Sequence, residues 1–145
     1  MSAPAPASTP VHRIGETAKR CGVSAANIRY YEAQGLLPAP PRSDGDYRLY
    51  SEADVHRLRF IRLCRALDMS LDEVRTLVGL DLNNKSDCGT ARLALDAHLQ
   101  HVRERLAELR LLERDLRGLR ERCDGTGDQC HIIEALHQRA DQTVP

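Results

Sequence analysis

The stretch C-D-G-T-G-D-Q-C, Cys123 to Cys130, sets two thiols on either side of a six-residue loop built from Asp, Gly, Thr and Gln. That loop offers no apolar side chain to pack against, so the cysteines do not serve there as small hydrophobes. They either bond each other or hold a soft ligand, and a third cysteine, Cys88, lies far upstream. Three thiolates around a divalent ion suit Pb(II) and Hg(II), and Cd(II) with an added oxygen or nitrogen donor. Structural zinc usually takes four protein ligands, and here only His131 or water offers the fourth. His98 and His101 stand three residues apart on one helical face and, with Glu73, form a candidate second metal site. Two solvated surface histidines are the alternative. Cys21 and Cys64 fall at apolar-face positions and read as buried free thiols.

Such ligands need elements to position them. From Thr90 to Arg122 the chain has no Pro and one Gly, Gly118. Apolar residues recur at 95, 99, 102, 106, 109, 112, 116 and 119, a near-heptad stripe with Arg and Glu between. The pattern predicts a coiled-coil helix that seeks a partner of its own kind. Cys88 sits just before this helix and Cys123 just after it, so the helix holds them on the order of 50 Å apart. An antiparallel pair of helices resolves the distance. It brings Cys88 of one subunit beside Cys123 and Cys130 of the other, twice per homodimer. The remaining tail, to Pro145, is expected to hold a short helix of one or two turns over the metal loop.

The N-terminal half carries a different pattern. Ile14, Thr17, Ala18 and Cys21 fall at helical spacing, Gly22-Val23 interrupts, and Ser24 offers an N-cap for a second helix ending near Gly35. Two short helices joined by such a turn are a helix-turn-helix candidate. Asp44-Gly45 then reads as a hairpin turn in a small β-wing that carries Arg42, Tyr47 and Arg48, with guanidiniums suited to phosphates. Ser51 with Asp54, and Ser70 with Glu73, resemble capping boxes opening two further helices.

The whole-chain composition agrees. With 145 residues, no Trp, one Phe and four Tyr, the core must be built from aliphatic side chains, which favours helices. Net charge is zero, yet Val11 to Arg65 holds ten Lys/Arg against six Asp/Glu, which favours an anionic partner. The leader MSAPAPASTP has neither a basic n-region nor an apolar h-region, and residues 1–11 are expected to be a disordered tail. Five cysteines, an odd number, point to a reducing cytoplasmic setting and free or metal-bound thiols. A redox switch through a Cys123–Cys130 disulfide is the competing thiol chemistry; a catalytic Cys-x-x-Cys is absent from the sequence.

The run IRYYE…GLL…R-x-x-G-x-YR-x-Y, within residues 12–81, resembles the winged helix-turn-helix domain of the MerR family of transcriptional regulators. The resemblance implies that Arg29 and Tyr30 of the recognition helix, with Tyr47 and Arg48 of the wing, contact double-stranded promoter DNA; Thr17 and Arg42 are further candidates, while Tyr31 and Leu36 lock helix to wing. It also implies a homodimer that activates metal efflux or detoxification genes by distorting the promoter for RNA polymerase, with no enzymatic activity. Cys88, Cys123 and Cys130 at this spacing are similar to the cadmium/lead-responsive members. The family's copper sensors lack a thiol at Cys88, its zinc sensors carry a His in the loop, and its mercury sensors have a longer loop. Cd(II) or Pb(II) is therefore the expected effector, with Hg(II) or Zn(II) as alternatives. The expected fold is mostly α: DNA-binding domain 12–81, connector 82–89, antiparallel dimerisation helix 90–122, and metal loop with tail 123–145.

Overall fold

The computed structural model describes residues 9–143, in six helices and almost no extended structure. The chain divides into two segments at His98/Leu99.

The first segment holds α1 (Ile14–Cys21), α2 (Ala25–Ala33), α3 (Glu52–Ala66), α4 (Leu71–Val78) and the opening turns of α5 (Lys85–Arg120). Gly22 ends α1 at φ 71°, a left-handed cap whose amide donates to the Ala18 carbonyl. A Cβ there would stand 2.6 Å from the tip of the flexible Arg62 side chain, which can swing aside, so the left-handed backbone is what calls for glycine. Ser24 then caps α2 by accepting from the Asn27 amide, which fixes the tight turn between the two helices. Capping boxes open α3 (Ser51, Asp54) and α4 (Ser70, Glu73), as their sequences predict. These four helices close over one core centred on Ile28, Leu36, Tyr50, Val55, Leu58 and Ile61, all fully buried. Each such aliphatic residue contributes roughly 1.5–3 kcal/mol on burial. Cys21 and Cys64 lie in this core as free thiols, and burial pushes the Cys64 thiol up.

The wing is smaller than its pattern implies. It consists of isolated antiparallel bridges, Arg42 to Arg48 and His12 to Tyr50. Its turn also differs from the Asp44-Gly45 expectation: the left-handed residue is Asp46, at φ 63°. The Asp46 amide donates to the Ser43 carbonyl and the Ser43 amide to Tyr47, which is a three-residue hairpin loop rather than a two-residue one. The Tyr47 ring lies against Gly45, 3.0 Å from where a Cβ would stand, so a side chain there would push the exposed ring outward. Residues 1–8 of the expected tail lie outside the described residues, but Val11 is not tail: its amide donates to Tyr50.

The long helix starts earlier than its expected boundary. α5 opens at Lys85, not at Thr90, because Asn84 supplies the cap: its side-chain oxygen accepts from the Ser86 amide and its carbonyl from Cys88. The expected connector is thereby shortened.

The second segment contains the rest of α5, the cysteine loop and α6 (His131–Gln142). α6 has 12 residues, about three turns rather than one or two. Arg139 pairs with Asp115 through both guanidinium nitrogens, each at 2.8 Å, which ties α6 back to α5. Leu119 and Ala135 are the buried residues among those described in this segment. Leu119 is thus covered within its own chain, whereas Leu95 to Leu116 of the stripe remain 42–56% exposed. No described helix is long and apolar enough to cross a membrane.

Candidate nucleic-acid interface and metal centre

α2 presents Arg29 and Tyr30 outward, while Ile28 and Tyr31 turn into the core. This is what a recognition helix requires: one face packed, the other free for a groove. The wing adds an exposed Tyr47 and a partly exposed Arg48. Arg42 reaches the wing's own turn, donating to the Asp46 carbonyl at 3.1 Å, and remains exposed. Thr17 does not belong to this face. It is 0% exposed, and its hydroxyl donates to the Arg13 carbonyl at 2.9 Å, so it packs α1 rather than reaching a ligand. Arg13 itself, which the sequence does not single out, places its guanidinium 4.0 Å from the Tyr47 ring centroid. Glu32, which closes the IRYYE run but is assigned no role there, accepts from the Tyr50 hydroxyl and pairs with Arg48. Burial, with the Glu32 carboxylate beside it, pushes the Tyr50 phenol far above its ordinary range.

The cysteines separate into a pair and a single residue. Cys123 and Cys130 bracket one loop, which keeps the two thiols within the same short stretch of chain. Cys130 is the N-cap of α6, and the amides of Ile133 and Ile132, with the Cys123 thiol, hold its own thiol below the usual range. An exposed thiol at a helix N-terminus favours its thiolate, the form that ligates metal. Asp124 shapes the loop by accepting from the Thr126 amide and hydroxyl. Cys88 lies in the first turn of α5 rather than ahead of it, and is exposed. A 36-residue helix is about 54 Å long. Cys88 borders a groove of about 660 Å³ whose apolar lining includes Phe60, Leu77 and Leu82.

His98 is buried and held twice. Its Nε2 donates to the Leu67 carbonyl at 2.8 Å, and its Nδ1 lies 3.2 Å from the Glu73 carboxylate. The Leu67 carbonyl foremost, and the Glu73 carboxylate after it, raise the imidazole's pKa. His101 follows on the same helix, three residues on and exposed.

A helix-turn-helix with a wing, followed by a long helix with an apolar stripe, defines a DNA-binding regulator rather than an enzyme. The pattern of the MerR HTH family regulatory proteins matches residues 12–79, and that of the MerR DNA-binding region matches residues 55–119. The chain belongs to the MerR family. It is 39% identical over 134 residues to the HTH-type transcriptional regulator ZntR of Escherichia coli K12, covering 90% of this chain and 95% of that one. To the mercuric resistance operon regulatory protein of Bacillus cereus it is 36% identical, over 88% of this chain and 98% of that one. Among solved structures, the transcription regulator PbrR691 from Ralstonia metallidurans CH34, in complex with lead(II), is 44% identical with a TM-score of 0.71, covering 87% of this chain and 99% of that one.

Proposed function

We propose that the chain is a metal-responsive transcriptional regulator, a homodimer whose effector is Cd(II) or Pb(II), bound by Cys123 and Cys130 of one subunit and the partner's Cys88. The observation that carries this reading is the free thiols of Cys123 and Cys130 on one loop, the latter at the N-terminus of α6, with Cys88 in the first turn of the 36-residue helix that precedes that loop. Two soft donors are prepared and the third must come from elsewhere. The seven stripe residues still half exposed on α5 give the surface through which a second, antiparallel copy would supply it. The groove beside Cys88 leaves room for the incoming loop.

Three sulfur ligands suit Pb(II) and Hg(II), and Cd(II) with an added donor; the lead(II) complex of the 44% identical PbrR691 supports Pb(II) among them. A Hg(II) or Zn(II) response is the alternative, and the mercuric resistance relative supports it. On the DNA side, Arg29, Tyr30, Tyr47, Arg48 and Arg42 would contact promoter DNA. Metal binding would shift the angle between the two DNA-binding domains, setting differential metal affinity against the cost of twisting the duplex so that RNA polymerase can engage it.

Glu73, His98 and His101 form the proposed second metal site. His98 suits the role, because a ligating histidine commonly donates its other ring N–H to a carbonyl, as Nε2 does to Leu67. Its Nδ1, once deprotonated, is left for a cation shared with Glu73.

Anaerobic thiol counting tests the main reading against a redox switch. Saturating Cd(II) should protect three cysteines per chain from alkylation beyond the two buried ones. Protection of only Cys123 and Cys130, under metal or oxidant alike, would reject it.

A further inference from the structure

The backbone bonds of the wing close it on itself, from Leu49 to Pro41 and Ser43 to Tyr47, and tie Tyr50 to His12; none of them reaches α2. A side chain spans the two elements. Glu32 sits on α2 three residues after Arg29, and its carboxylate is used at both oxygens: Oε1 accepts from the Tyr50 hydroxyl and Oε2 lies 3.2 Å from Arg48 Nε. The Glu32 side chain is 10% exposed and that of Arg48 36%. A guanidinium has five N–H donors, so a contact at Nε leaves others for a phosphate. Tyr50, fully buried, anchors the carboxylate to the core.

A carboxylate beside a phosphate-binding surface is electrostatically unfavourable unless it serves another purpose. We propose that Glu32 is a positioning residue for DNA binding: anchored by Tyr50, it holds Arg48 in the orientation that meets a backbone phosphate while Arg29 and Tyr30 enter the groove. It acts by pre-organising a long side chain that would otherwise be ordered at the moment of binding. This inference rests on the reading that α2 and the wing form the DNA face.

The sign of one substitution separates the roles. Deleting a bystander negative charge near DNA tightens binding, whereas deleting a positioning residue weakens it. Full-length protein is titrated onto a short mixed-sequence duplex over a salt series, comparing wild type, Glu32→Met, Arg48→Ala and the double variant. Met preserves side-chain length and helix propensity. Glu32→Met should weaken binding roughly three- to tenfold, the scale of one immobilised side chain. In the Arg48→Ala background it should no longer weaken binding. Tighter binding, or the same loss in both backgrounds, would overturn the proposal. Arg48→Ala binding as wild type does, with an unchanged salt slope, would instead reject the DNA face itself. If Glu32→Met fails to fold by circular dichroism, Tyr50→Phe removes the anchor isosterically. It should give a smaller loss that again vanishes with Arg48→Ala, and no loss would overturn the assignment.

Discussion

Leu106 stands mid-way along α5 and is 45% exposed in the single chain. If the stripe is a dimer seam, a second helix covers that remaining surface. Complete burial of a Leu contributes roughly 1.5–3 kcal/mol, so covering about half of one contributes about 1 kcal/mol. In a two-fold dimer the residue occurs twice, which gives about 2 kcal/mol for Leu106→Ala. That corresponds to a roughly thirty-fold weaker dimer dissociation constant. Sedimentation equilibrium across a concentration series reads it directly. Leu111 serves as the control: it is 60% exposed, carries the same side chain and lies off the stripe. Leu111→Ala should leave the dissociation constant unchanged. Equal effects of the two substitutions, or none from Leu106→Ala, would refute the seam.

His101→Ala should reduce the Cd(II) stoichiometry measured at neutral pH while leaving the response to Pb(II) nearly intact, because nitrogen donors favour Cd(II) over Pb(II). His101 is the better position to vary, since His98 also braces α5 against the Leu67 carbonyl and its loss would disturb the fold. Asp115→Asn should release α6 from α5, read as faster amide exchange across residues 131–142. The Arg139 guanidinium holds the Asp115 carboxyl below its ordinary 3.8. A depressed carboxylate contributes in full above that ordinary value and loses its contribution as pH falls through the depressed one. Wild type and Asp115→Asn should therefore converge in acid, and exchange rates that coincide already at pH 7 would remove the ion pair from the account.

The helix boundaries set by local chemistry were legible in the sequence. Gly22, Ser24, the Ser51–Asp54 box and the Ser70–Glu73 box each satisfy backbone groups within four residues, so their types and spacing suffice to place them. Asn84 escaped notice because it caps from inside a polar run, D-L-N-N-K-S-D, that offers several rival caps. Thr17 falls in the helical pattern of Ile14, Ala18 and Cys21, and its DNA contact was implied by the resemblance alone; the structure buries it with its hydroxyl bonded back to Arg13. Long-range partners were harder still. Glu32 reaches Tyr50 across 18 positions and Arg13 stacks on Tyr47 across the first two helices, and neither spacing leaves a periodic trace. The proposed roles of Cys123 and Cys130 rest on the one loop that joins them, whereas that of Cys88 rests on the length of a helix.

The shared metal centre is tested most directly by complementation between subunits. A Cys88→Ser chain is mixed with a Cys123→Ser/Cys130→Ser chain, and the heterodimer is isolated by differential tags. Sulfur-to-metal charge-transfer absorption is then titrated with Pb(II). The intact Cys88 of one chain meets the intact loop of the other at one end of the dimer, so the heterodimer should bind one Pb(II) with the three-thiolate band. Each mutant homodimer should show none. A heterodimer without the band, or a Cys88→Ser homodimer that retains it, would contradict a site built from two subunits.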